Sequence, residues 1–151
     1  MKKFLLFLFV LFILLAQQSI YLPFHYGLID FAVPILFVLG LWCGPIKGLV
    51  YGFLIGLLQA SFSGYMIGTF LFTRSLAGWG GGILRGLIVK DNPLAVAFSV
   101  FWVSLLTDAI FLLSSPHSIS KFLTYSLIIK ALSSSLFAGF FASILSRLYQ
   151  D

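Results

Sequence analysis

The stretch Gly44-Pro-Ile-Lys-Gly48-Leu-Val-Tyr-Gly52-Phe-Leu-Ile-Gly56-Leu-Leu-Gln-Ala60-Ser-Phe-Ser-Gly64-Tyr-Met-Ile-Gly68 keeps every fourth position free of a large side chain. Lipid tails and neighbouring helices compete on equal terms for apolar side chains. Helices therefore associate in a bilayer through close backbone approach, which small residues spaced four apart permit. A straight helix turns about 400° in four residues, so such a ladder winds by about 40° per step. It is not one straight seam. Gly44 with Pro45 reads as a turn, Gly48 to Ala60 as a winding stripe about 18 Å long at 1.5 Å per residue, and Gly64 with Gly68 as the next turn and the start of another helix. The ladder predicts a tightly packed intramembrane body.

The rest of the chain agrees with that class. Hydrophobic residues make up 61% and charged residues 9% of the 151, with a mean hydropathy of +1.13, leaving too little polar side chain to coat a soluble domain. Apolar blocks at 4–21, 28–42, 48–62, 67–84, 94–113 and 122–145 predict an all-α polytopic membrane protein, one integral domain over 1–151 built as a compact bundle of about six spans. Blocks two and three are short, so local thinning, tilt or a packed re-entrant path fits them as well as a full crossing. Lys2, Lys3 and the apolar run after them also resemble a signal peptide, but the Gln-Gln-Ser-Ile that follows Ala16 is a poor cleavage site, so an uncleaved first span is expected.

Basic residues set the expected orientation. With the N-terminus inside, the cytoplasmic side collects Lys2, Lys3, Lys47, Arg85, Lys90 and Arg147, against Lys121 alone outside, and the C-terminus is cytoplasmic too. The net charge of +5 is thus explained by topology, and no nucleic-acid partner is expected because no aromatic stacking motif accompanies the scattered cations. The sequence has no Glu, which excludes a paired-Glu dyad, and neither a Ser-His-Asp arrangement nor a nucleophile elbow appears. His25 and His117 read as solvated loop residues rather than metal ligands, so neither metal nor cofactor is expected. Cys43 has no disulfide partner.

The intramembrane polar residues are Arg74, Asp108 and Lys130, with Asp30 near the start of the second block. A charge in the bilayer core costs about 2.5 to 3.5 kcal/mol on insertion scales, so such residues face the bundle interior and pair. Arg74 or Lys130 with Asp108 is the expected pair. Its simplest role is to fix helix register; the alternative is a polar site for a substrate, an ion or a partner's side chain. Further small-residue ladders, Gly78, Gly82, Gly86 and Ala131, Ser135, Gly139, Ser143, repeat the packing logic.

The segment from Gly52 to Gly68 resembles the central signature of the bacterial rod shape-determining MreD family, roughly G-x-x-x-G-x-x-x-D-x-x-S-G-x-x-x-G. The flanks are similar as well, at Gln18-Ser-Ile-Tyr-Leu-Pro23, Leu28-Ile-Asp-Phe31, Gly44-Pro-Ile-Lys-Gly48 and Ser104-Leu-Leu-Thr-Asp108. The acidic position of the signature is Ala60 here, with Gln59 before it, whereas Asp108 matches the family's acidic position in the fifth span. The resemblance implies a non-enzymatic scaffold of the cell-elongation machinery in the bacterial inner membrane. It would bind an MreC-like single-span protein and act through it on MreB filaments and on the peptidoglycan synthase RodA with its penicillin-binding partner. It also implies a fold like the S components of energy-coupling-factor vitamin transporters, and such a transport subunit is the alternative reading. The first block lacks the small-residue stripe by which those subunits dock. Gly48, Gly52, Gly56, Ala60, Gly64 and Gly68 are the candidates for helix packing or for receiving a partner's helix, including that of a second copy.

Overall fold

The computed structural model describes residues 30–63, 67–88, 92–114 and 121–149, and every regular element among them is helical. The helices are α1 (Ala32–Cys43), α2 (Pro45–Ser63), α3 (Ile67–Ile83), followed by a 3₁₀ turn (Leu84–Gly86), α4 (Pro93–Ser114) and α5 (Lys121–Tyr149). These correspond to the second through sixth apolar blocks. The first block, together with His25, Gly64, Lys90 and His117, lies outside the described residues.

Three of the helices contain windows long and apolar enough to cross a membrane, Pro45–Phe62, Pro93–Ile110 and Leu127–Ser146. Only 22–33% of those windows is buried, which leaves their outer faces to lipid. Among the described residues, which leave out the first block, three helices meet this criterion, and the bundle of about six spans remains an expectation. Helix α1 has 12 residues and so spans about 18 Å, well short of a hydrocarbon core about 30 Å thick. Helix α3, with 17 residues, is interrupted by Thr69, Thr73, Arg74 and Ser75.

Helix α1 is the centre of the packing. Its sequence AVPILFVLGLWC is apolar on all sides, the pattern of a helix buried all round, and Ala32 to Val38 are buried without exception. It touches each of the other four helices. Pro34 falls in its first turn, where a missing amide leaves no intrahelical bond unmade. The helix ends at Gly44, whose φ of 96° is in the left-handed region and whose N–H donates to the Gly40 carbonyl at 2.8 Å. Pro45 then opens α2 at a position where proline's fixed φ favours a helix start. Asn92 performs the same service for α4: its side-chain oxygen accepts from the amides of Leu94 and Ala95, and Pro93 follows it.

The glycine ladder is the seam between α2 and α3. A methyl group added at Gly48 would meet the backbone of Gly78, one at Gly52 would lie 2.7 Å from the Cα of Ser75, and one at Gly56 would lie 2.9 Å from the Phe70 carbonyl oxygen. Gly78 belongs to this seam too, since a methyl on it would meet the Gly48 backbone, while Gly81 and Gly82 face α1 and the turn that ends it. Gly40 of α1 lies against Gly78 and Gly82, Gly81 against the backbone at Phe37, and Gly82 against the Gly44–Pro45 turn. Helix α3 is therefore clamped between α1 and α2 through backbone on both faces. The third ladder serves α4 and α5, where a Cβ at Gly139 would sit 3.4 Å from that of Ala97. Apolar packing completes the interior, with Phe31 edge-on to Phe137 and Phe137 stacked on Phe141.

Candidate functional site

Hydrogen bonds among Asp30, Gln59, Arg74 and Ser134 link the start of α1, the end of α2, α3 and α5. Asp30 sits two residues before α1, and its Oδ1 accepts the Ala32 amide at 3.0 Å, capping the helix. Its Oδ2 accepts from Arg74 Nη2 at 2.6 Å, in a salt bridge whose side chains are 14% and 7% exposed. Arg74 Nε donates to Gln59 Oε1 on α2 at 2.7 Å, and the guanidinium carbon stands 5.8 Å above the Phe70 ring. One arginine thus ties the start of α1, the end of α2 and its own helix α3 together. Ser134 adds α5, its hydroxyl donating to the Asp30 carbonyl oxygen at 3.1 Å.

This corrects one of the two pairings expected from the sequence, that of Arg74 with Asp108. Among the described residues the ion pair closes between Arg74 and Asp30, not on Asp108. The physical reason is that α1 packs against α3, which brings the Asp30 carboxylate, two residues before α1, to the Arg74 guanidinium. Asp108 and Lys130 are both half-buried, and the charges of Lys130, Asp30 and Arg74 all act on the Asp108 carboxyl.

The ladder residues separate into two groups. Gly48, Gly52 and Gly56 are buried in the α2–α3 seam, and Ala60 is 1% exposed. Gly68 is exposed, with nothing within 4 Å of a Cβ placed on it. Of the two uses expected for Gly52 and Gly56, the described contacts show helix packing, with α3 in that groove. The outward face of α2 presents Leu49, Phe53, Leu54, Leu57 and Leu58 instead.

Two contributors escaped the sequence reading. Gln59 is neutral and does not register in a search for charges, although it stands beside the signature position where Ala60 replaces an acid. Ser104 is 3% exposed, and its hydroxyl is without a hydrogen-bond partner among the described residues. Neighbouring hydroxyls return to the carbonyl of the preceding turn of their own helix, as at Thr73, Ser99, Thr107 and Ser135. Ser104 does not, and its place seven residues after Ala97 puts it on the face of α4 that meets α5. Within the described residues no three His, Cys, Asp or Glu side chains converge to hold a metal ion.

The arrangement engages a buried guanidinium with one carboxylate and one amide and joins four helices. Comparison of the chain with protein-family models, with curated proteins and with solved structures returned no match.

Proposed function

We propose that this protein is a non-enzymatic membrane scaffold of the MreD type, an inner-membrane component of the rod-shape machinery that binds an MreC-like single-span protein. The observation that carries the reading is the use made of the stretch that resembles the family signature. Its Gly52 and Gly56, with Gly48 before them, lie against the backbone of α3, and Arg74 joins Gln59, next to the signature's departing position Ala60, to Asp30 of the flanking Leu28-Ile-Asp-Phe31 segment. A rigid core held in this way suits a protein whose task is to present fixed apolar helix faces to a partner. The faces available are on α2, with Phe53, Leu54 and Leu57, and on α4 and α5, with Phe98, Trp102, Leu136 and Phe140. Orientation with both termini cytoplasmic, and indirect links to MreB filaments and to RodA with its penicillin-binding partner, belong to the same proposal. The test is depletion in a rod-shaped bacterium that carries the gene. Cells that round up before they lyse support the scaffold; cells that keep their rods count against it.

A second reading, the substrate-binding subunit of an energy-coupling-factor transporter, is favoured by one observation. The unpartnered Ser104 hydroxyl and the half-buried Asp108 and Lys130 lie at the same end of the bundle as the Asp30–Arg74 pair, where a polar solute would find hydrogen-bonding groups. A vitamin recovered with the purified protein would select this reading over the scaffold.

A further inference from the structure

At the end of the bundle opposite the polar centre, the α1–α2 turn and the end of α3 are in backbone contact: a Cβ on Gly82 would lie 2.7 Å from the carbonyl carbon of Gly44. That contact brings two cations to the same end of the bundle. Arg85 leaves the 3₁₀ turn with its Nη1 3.5 Å from where a Gly44 Cβ would stand, and Lys47 projects from the first turn of α2, two residues past Pro45. Both side chains are exposed. The first turn of α2 holds no acid, and the described acids Asp30 and Asp108 belong to the other end. Beside the cations stand two of the most exposed apolar side chains in the structure, Ile46 at 79% and Leu87 at 80%. Ile83, Leu49 and Val50 continue this apolar surface along α3 and α2.

Exposed cations bordered by exposed apolar side chains are the surface complement of a molecule with an anionic head and acyl chains. We infer that Lys47 and Arg85 form a headgroup site for an anionic phospholipid, its phosphate between the two cations and its chains along Ile46, Ile83 and Leu87. Cations near an anionic membrane surface contribute about 1 kcal/mol each, which is roughly fivefold in affinity per residue and about thirtyfold for the two together. The inference is independent of the scaffold reading, since it concerns only how this end of the bundle meets its bilayer.

The experiment is native mass spectrometry of the full-length protein in detergent, supplied with equal amounts of phosphatidylglycerol and phosphatidylcholine. The expected result is preferential retention of phosphatidylglycerol, falling by about thirtyfold in the Lys47→Gln/Arg85→Gln variant. Equal retention of the two lipids by the unaltered protein overturns the inference, and that comparison does not depend on any variant folding. Retained preference in the Lys47→Gln/Arg85→Gln variant overturns it as well. Displacement of phosphatidylglycerol by millimolar inorganic phosphate would assign the cations to a free anion and overturn the lipid assignment; persistence of the lipid under phosphate supports it.

Discussion

Substituting Asp30 by Asn removes the charge that balances Arg74 while preserving the cap on α1, because an Asn side-chain oxygen can still accept the Ala32 amide held at 3.0 Å. Arg74 is 6% exposed and, among the described residues, keeps the Gln59 hydrogen bond and the Phe70 ring contact. Removing one member of a buried ion pair costs about 3 to 5 kcal/mol, since the remaining charge stays desolvated. The surviving amide contact places Asp30→Asn near the lower figure, about 3 kcal/mol or roughly two orders of magnitude in the folded-to-unfolded ratio. Two companion variants turn this into a test of the geometry. Arg74→Met should be destabilising alone, but it should add little to Asp30→Asn, so that the pair falls short of additivity by at least about 1 kcal/mol. Gln59→Glu introduced into Asp30→Asn moves the carboxylate to the other side of the same guanidinium, 2.7 Å from Nε, and should recover about half of the loss. The assay is reversible unfolding in mixed micelles followed by helical circular dichroism. Additivity of Asp30→Asn and Arg74→Met within about 0.5 kcal/mol, together with no rescue by Gln59→Glu, would refute the argument.

Further outcomes follow from the seams and hydroxyls. Gly52→Ala forces a methyl against the Ser75 backbone, which cannot rotate away, and should cost about 1 to 3 kcal/mol in the same unfolding assay. Gly80→Ala has nothing within 4 Å and should be neutral or up to about 1 kcal/mol stabilising through helix propensity; a loss comparable to that of Gly52→Ala would show that the α3 faces are wrongly assigned. Ser104→Ala removes a buried hydroxyl without a described partner and should leave the midpoint unchanged or raised, whereas Ser134→Ala breaks the bond to the Asp30 carbonyl and should lower stability by about 1 kcal/mol. The reverse order for these two serines would contradict the hydrogen bonding described.

The helical class and the close-contact character of the ladder were legible because both rest on local pattern: long apolar runs, and small residues at a fixed spacing. What a spacing does not encode is its partner. Gly48, Gly52 and Gly56 announce that something comes close, and only the fold shows that it is Gly78, Ser75 and Phe70 of the next helix rather than another protein. The pairing of Arg74 was misread for a related reason. Asp108 is the acid deepest within an apolar run, so it looked like the natural partner, while Asp30 looked like a boundary residue; its depth depends on where α1 starts, and an apolar run on every side carries no marker of its first turn or of its level in the bundle. Gln59 and Ser104 were hidden because neutral polar residues are common in membrane helices, and what distinguishes these two is the bond one makes to Arg74 and the absence of a described bond at the other. The extent of α4 was easier, since Asn92 and Pro93 mark its start in the sequence as a cap and a first-turn proline.

The claim that this chain is a membrane scaffold is tested most directly by native mass spectrometry of the complex extracted gently from the membranes of its own cells through a tag on this chain. The scaffold account predicts a mass equal to this protein plus an MreC-like single-span protein in fixed stoichiometry, with no small-molecule adduct other than lipid. A species free of any single-span protein and carrying a vitamin-sized ligand would contradict it.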